Sequence, residues 1–112
     1  MTSIRQNKVA KLIQKELGII FQQELRNIIS NAIVSPTTVR MSPDLSVAKV
    51  FISIFATGDD KDKILSIIKA NSKEIRFILG KRIKNQLRAV PELIFYLDDS
   101  LDYAFEIDSL LK

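Results

Sequence analysis

The sequence contains no cysteine, no histidine and no tryptophan, and only three glycines and three prolines in 112 residues. Each absence removes a class of chemistry. Without cysteine there are no disulfides, and a reducing compartment is permitted. With neither cysteine nor histidine, a zinc site of the usual nitrogen and sulfur ligands cannot be built. Ser-His-Asp and Cys-His nucleophile systems are excluded for the same reason. Gly18, Gly58 and Gly80 stand apart, so no phosphate-binding glycine loop and no dinucleotide fingerprint can form. An enzyme built from this chain would have only carboxylates, lysines or a bound magnesium ion to work with. The expectation is a non-catalytic protein without a cofactor. No apolar run approaches the ~18–20 residues that span a bilayer. Met1-Thr2-Ser3-Ile4-Arg5-Gln6 lacks the charged-then-apolar layout of a secretory signal, so the expected location is the cytoplasm, away from membranes.

What is present is an ordinary globular composition, 46% hydrophobic and 27% charged, of a length that fits one domain over residues 1–112. The formal net charge is +4, unevenly spread: residues 1–90 carry 16 Lys/Arg against 7 Asp/Glu, and residues 91–112 carry 1 against 6. A basic body (+9) with an acidic end (−5) suits a polyanionic partner. A solvated surface with a solubilising tail accounts for the same numbers.

Ser3 and Gln6 have capping-box spacing and open a helix over about 4–25. Val9, Ile13, Leu17, Ile20 and Phe21 recur on one face of it, and Arg5, Lys8, Lys11 and Lys15 on the other. The period then changes. Thr37, Val39 and Met41 alternate with polar residues as a half-buried strand led in by Val34-Ser35-Pro36. Ser42-Pro43-Asp44-Leu45-Ser46 is rich in turn formers. Val47–Ala56 forms a second strand, with Ala48, Val50, Ile52 and Ile54 on one face and Lys49, Phe51, Ser53 and Phe55 on the other. The short link implies an antiparallel hairpin. Phe51 and Phe55 are expected in the core or under a helix, since buried aromatics are the commoner case. Asp59 and Asp60 are read as cap residues rather than metal ligands.

Ile64, Leu65, Ile67 and Ile68 make a short second helix ending near Ala70. Asn71-Ser72-Lys73-Glu74 has capping-box spacing inside a helical stretch, which predicts a kink and a new helix start. The third helix buries Ile75, Ile78, Leu79, Ile83 and Leu87. Its other side carries Lys73, Arg76, Lys84 and Arg88. Its free N–H groups beside Lys73 and Arg76 favour phosphate. A surface ion pair of Arg76 with Glu74 or an acid of the tail is the plainer role. Pro91 ends this helix. Glu92–Asp98 is a strand apolar on both faces, expected at the sheet centre or under helices. The acidic segment about 99–112 is a short amphipathic stretch packing on or trailing the domain. The order α-β-β-α-kink-α-β makes an α/β (α+β) fold, a three-stranded sheet covered by helices on one face. With no long heptad and no bare hydrophobic edge, a monomer is expected.

Together these residues resemble the ribosome-binding factor A family. The matching landmarks are Arg5, Val9, Ala10, Ile13, Gln14, Glu16 and Leu17, then Ser42-Pro43-Asp44-Leu45 and Ala48-Lys49-Val50. They continue through Ile75-Arg76, Leu79, Leu87-Arg88, Val90-Pro91-Glu92-Leu93 and Phe95. Asp98, Ser100, Tyr103, Ile107 and Leu110-Leu111 complete the match. The resemblance implies a type-II KH-like domain that binds the immature 30S ribosomal subunit and its 16S rRNA near the 5′-end region. It implies a part in late maturation of that rRNA, above all in the cold, and release with the help of a GTPase.

An ordinary KH domain clamps RNA with a Gly-x-x-Gly loop, which this chain lacks. The family carries Ala-x-Gly at a helix kink instead, and here Asn71 and Lys73 stand at those positions. The Asn71/Glu74 cap is therefore expected to shape the kink. Read as an rRNA-binding factor, the chain would contact RNA through Arg5, Lys8, Lys11, Lys15, Asn71, Ser72, Lys73, Arg76, Lys81, Lys84 and Arg88. The alternative is a protein-interaction module acting through the acidic segment around Tyr103 and Phe105.

Overall fold

Helix α1 spans Ile4–Gln23, and its start is secured by the expected reciprocal cap. Ser3 Oγ accepts from the Gln6 amide (3.0 Å), and Gln6 Oε1 accepts from the Ser3 amide (2.8 Å). Gln6 is only 8% exposed, and its Nε2 donates to the Met41 carbonyl (3.1 Å). One side chain thus ends the chain's approach to α1 and ties that end of the helix to the sheet. The computed structural model describes residues 3–25, 29, 32–55 and 61–98. The predicted stretches at 57–60 and 99–112, with Ala56 at the end of the second strand, lie outside them.

Strand β1 (Ile33–Met41) and strand β2 (Val47–Phe55) are antiparallel, with Val39 opposite Val50 and Met41 opposite Ala48. Strand β3 (Glu92–Leu97) runs parallel to β2, with Val50 opposite Phe95. The order is β1-β2-β3. A parallel neighbour requires a crossover, and helices α2 (Lys61–Ala70) and α3 (Ser72–Ile83) lie along it. The result is the expected α+β arrangement in the expected element order.

All three helices pack on one face of the sheet. Ala48, Val50, Ile52 and Ile54 of β2 lie at the centre of the core. Ile13, Leu17, Ile20 and Phe21 cover them from α1, and Ile68, Ile75, Leu79 and Ile83 from α2 and α3. Phe21 meets Phe95 edge-on at 6.3 Å between ring centroids. Each such side chain contributes about 1.5–3 kcal/mol by leaving water.

Five expectations are corrected. The third helix ends at Ile83, short of Leu87 and Pro91, in a turn where the Gln86 and Leu87 amides both reach the Ile83 carbonyl. Strand β1 begins at Ile33 rather than Thr37: it is an edge strand, where Pro36 need not donate to a ladder. A register shift between Pro36 and Thr38 absorbs the proline. Gln14 Nε2 of α1 bonds the Pro36 and Thr37 carbonyls there (3.3 and 3.2 Å), and the Thr37 hydroxyl donates to the Asp98 carboxylate. Strand β3 lies at an edge, not at the centre, with Leu93 and Phe95 under the helices and Ile94 and Tyr96 on the far face.

Phe51 and Phe55 also point to that far face. Phe55 is 69% exposed, and Phe51 is half-buried, stacked on Tyr96 (5.2 Å) with Arg40 above it (6.0 Å). The two-residue period assigns a face correctly, but whether a helix covers that face is set by the crossover. Finally, the predicted Asn71/Glu74 capping box is absent. The Asn71 side chain instead donates backwards to the Ile67 carbonyl (2.8 Å), capping the end of α2.

The hairpin turn has its own internal order. Asp44 Oδ1 accepts from Ser46 Oγ (2.7 Å), Ser42 Oγ (2.8 Å) and the Ser46 amide (3.1 Å). Leu45 takes a left-handed conformation, φ 62°, which directs its side chain against the core. That geometry costs about 1–2 kcal/mol for a residue with a Cβ, and the turn bonds and the half-buried leucine offset it. The Ser46 carbonyl then receives the Glu92 amide (2.8 Å), so the turn also positions the start of β3.

Two outcomes are expected. Gln6→Ala lowers unfolding free energy by about 1–3 kcal/mol in urea titration, from the lost cap and the unpaired Met41 carbonyl. Hydrogen bonds from Ser46 and then Ser42 lower the Asp44 pKa from 3.8 to about 2. A carboxylate depressed on folding stabilises above its unfolded pKa and loses that contribution as pH falls from about 4 to about 2. Unfolding of wild type and Asp44→Asn across this window should therefore converge at its acid end.

Candidate nucleic-acid interface

The apolar stripe of α1 faces the sheet, so Arg5, Lys8, Lys11 and Lys15 are left on its exposed side. The same logic applies to α3. Its buried stripe is Ile75, Leu79 and Ile83, and the residues between, Lys73, Arg76, Phe77 and Lys81, face outward. Lys84 and Arg88 follow on the exposed link toward β3. Glu16 and Arg82 pair between α1 and α3, binding the two basic helices to each other. The pair is part-exposed, and such pairs contribute little more than ~1 kcal/mol.

The joint between α2 and α3 is a single residue. Ala70 ends one helix and Ser72 begins the next. Asn71 sits between them at φ −101°, ψ 15°, near the bridge region, and its amide reaches the Ile67 and Ile68 carbonyls (both 3.1 Å). Lys73 lies inside the helix, and among the described non-glycine residues only Leu45 has positive φ. The chain thus breaks its helix without the left-handed residue that glycine would supply. Ser72 is half-buried beside the joint.

Arg76 is anchored. Its Nη2 donates to the Val90 carbonyl (2.7 Å) and its Nε to the Pro91 carbonyl (3.2 Å). Among the described residues these carbonyls, and not Glu74, are its partners; the acids of the segment 99–112 lie outside them. The two bonds fix the lead into β3 against α3 and leave the remaining guanidinium donors outward.

Two clefts meet at Arg76. One, of about 610 Å³, gathers Arg5, Arg76 and Arg88 around Asp44 and the turn. The other, of about 660 Å³, runs along α3 and is lined by Lys73, Arg76, Phe77, Gly80, Lys81, Lys84 and Val90. Six of the eleven predicted residues are brought together in this way. Lys8, Lys11, Lys15, Asn71 and Ser72 line neither cleft, and Arg76 lies in both. Among the described residues there is no cluster of acidic side chains that could hold a metal ion, and no helix is long and apolar enough to cross a membrane.

Sequence reading missed Phe77, which is 60% exposed with the Lys81 ammonium 4.5 Å from its ring centroid. The signal was available: Phe77 falls four residues after Lys73 and four before Lys81, off the buried stripe. It also missed Gly80, where an added Cβ would meet Val90 Cγ2 at 2.9 Å. The close approach of α3 to Val90 requires a residue without a side chain at that step.

Known proteins share this fold. The family model described as ribosome-binding factor A matches residues 5–111. This chain belongs to that family. A ribosome-binding factor A of Cytophaga hutchinsonii is 53% identical over 112 residues, covering 100% of this chain and 84% of the relative. The crystal structure of ribosome-binding factor A from Thermus thermophilus superposes with a TM-score of 0.67 at 18% identity, covering 82% of this chain and 94% of that one. A homology model of the Thermus thermophilus protein, as fitted into a cryo-EM map of a 30S–ribosome-binding factor A complex, gives a TM-score of 0.60 at 17% identity, covering 88% of this chain and 97% of that one. At these identities the structural likeness speaks for the fold.

The anchoring of Arg76 separates it from its neighbours. Arg76→Ala is expected to lower stability by about 1 kcal/mol through the lost bonds to Val90 and Pro91. Lys73→Ala, on the same face without such bonds, should stay within about 0.5 kcal/mol of wild type. Urea unfolding of both variants checks this.

Proposed function

We propose that this chain is a non-catalytic assembly factor of the small ribosomal subunit. It binds the immature 30S subunit at its 16S rRNA, in the 5′-end region, assists late maturation of that rRNA, and is needed most in the cold. On this reading it acts in the cytoplasm as a monomer, as one KH-like domain over residues 1–112, and leaves with the help of a GTPase. Membership of the ribosome-binding factor A family supports the reading at the level of the ribosome. The observation that carries it toward RNA is the gathering of Lys73, Arg76, Lys81 and Lys84 along one groove, next to the cleft of Arg5 and Arg88.

Cations on a rigid helix surface bind polyanions mainly by releasing condensed counterions. Each phosphate neutralised on a single strand adds about 0.7 to the slope of log affinity against log salt. The factor would dock through several such contacts, with α1 extending the basic surface beyond the clefts. Asn71 gives its amide to Ile67, so its part at the interface is to set the direction of the α3 start rather than to donate to RNA.

The test is co-sedimentation with immature and mature 30S subunits over a salt series, for wild type and a Lys73→Glu/Lys84→Glu variant. Salt-sensitive binding to the immature subunit, weakened with a shallower slope in the variant, is the expected result. Binding that ignores salt, or that the variant retains in full, rejects phosphate docking through α3. Binding abolished by truncation after Asp98, with no effect of the charge reversals, would assign the interface to the acidic segment.

A further inference from the structure

The groove on α3 is not a plain basic patch, because its floor is apolar. The Phe77 ring lies open beside the bare backbone of Gly80 and the side chain of Val90, with Lys73, Arg76, Lys81 and Lys84 around them. We propose that this groove is a nucleobase pocket, in which one unpaired base of RNA stacks on Phe77 while Lys73, Lys81 and Lys84 hold the flanking phosphates. The proposal rests on the RNA-binding reading above and adds to it the chemical form of RNA that is bound.

A single exposed phenylalanine needs no explanation by itself. This one has three neighbours that do. Gly80 stands one helical turn beyond Phe77, and the Cβ that any other residue would bring there collides with Val90 at 2.9 Å. Val90 packs into the place of that side chain, so Gly80 and Val90 together form an apolar step beside the ring. Arg76 is held at the rim by its bonds to Val90 and Pro91, so its charge is positioned before any ligand arrives. Lys81 already rests its ammonium on the ring at 4.5 Å. A lysine on a flexible four-carbon stem can move from a ring face to a phosphate, so the base would take the place that the cation vacates.

The occupant follows from charge and shape. No carboxylate is among the described residues lining the groove, and four cations are. From Lys73 to Lys84 the helix rises about 16 Å, at 1.5 Å per residue. That length follows a stretch of sugar–phosphate backbone rather than one ion. Aromatic stacking inside a positive groove is the general means of holding single-stranded nucleic acid, and it tolerates any base because every base has a π-face. Of the aromatics on the far face of the sheet, Phe51 and Tyr96 are stacked on each other, and the exposed Phe55 lines neither of the basic clefts. Phe77 has no ring partner among the described residues.

The experiment uses a short unstructured RNA with 2-aminopurine at one position, whose fluorescence falls when the base stacks, and the same RNA annealed into a duplex. Wild type, Phe77→Ala, Phe77→Tyr and Lys73→Glu/Lys84→Glu are compared over a salt series after urea unfolding confirms that they fold alike. Phe77→Ala is expected to weaken single-strand binding on the order of 10-fold. It should abolish the fluorescence change while leaving the salt slope and duplex binding unchanged, and Phe77→Tyr should retain both. The charge variant should instead flatten the slope. If Phe77→Ala binds and quenches like wild type while the charge variant is impaired, the base pocket is wrong and phosphate docking stands. If wild type binds neither RNA even at low salt, the RNA-binding reading fails and the pocket with it.

Discussion

Burial of one face of β2 is the constraint on which the rest of the molecule depends. Ala48, Val50 and Ile52 are fully inaccessible and Ile54 nearly so. β2 is the middle strand, paired antiparallel to β1 on one side and parallel to β3 on the other. The antiparallel side needs only a tight turn. The parallel side needs the chain to travel back along the sheet, and α2 and α3 make that return over the same apolar face. Once their stripes are committed inward, the basic residues of α1 and α3 have nowhere to go but solvent. The electrostatic surface is thus a by-product of core packing, arranged along two helices that Glu16 and Arg82 link together.

Polar side chains at the element ends carry a second level of order. Gln6 joins a helix start to β1, Gln14 holds the irregularity at Pro36, Asp44 organises the hairpin turn, and Arg76 ties the lead into β3 to α3. Each satisfies a backbone or side-chain group that the sheet ladder or helix leaves unpaired, and a group left unpaired in the interior would be costly. No described buried side-chain polar atom lacks a partner. Arg76 illustrates how one residue serves both levels, since its carbonyl bonds build the fold and its remaining donors face the clefts.

The α2–α3 joint shows that a kink does not require a glycine. A residue near the bridge region suffices, provided that its side chain satisfies the carbonyls left open behind it. Asn71 does this with its own amide. Position 73 is then free to be a lysine in regular helix, which places one more cation at the mouth of the groove.

Local pattern was enough to determine much of this protein. The Ser3/Gln6 box, the buried stripes of α1 and α3, the division of β2 into two faces and the break at Asn71 are all consequences of short-range spacing. The physical reason is that helix and strand periods act over a few residues. Exclusion of thiol and imidazole chemistry needed only the composition. Coverage and company were decided by the tertiary structure. Whether Phe51 and Phe55 meet a helix depends on the side of the sheet the crossover takes. That β3 lies at an edge depends on strand order, and that Pro36 is tolerated depends on β1 being an edge too. The partners of Arg76 lie 14 and 15 residues away, and the cleft that unites it with Arg5 forms only when the start of α1 meets the link after α3. A spacing rule cannot see such meetings, because they are set by how whole elements pack and not by any run of neighbouring residues.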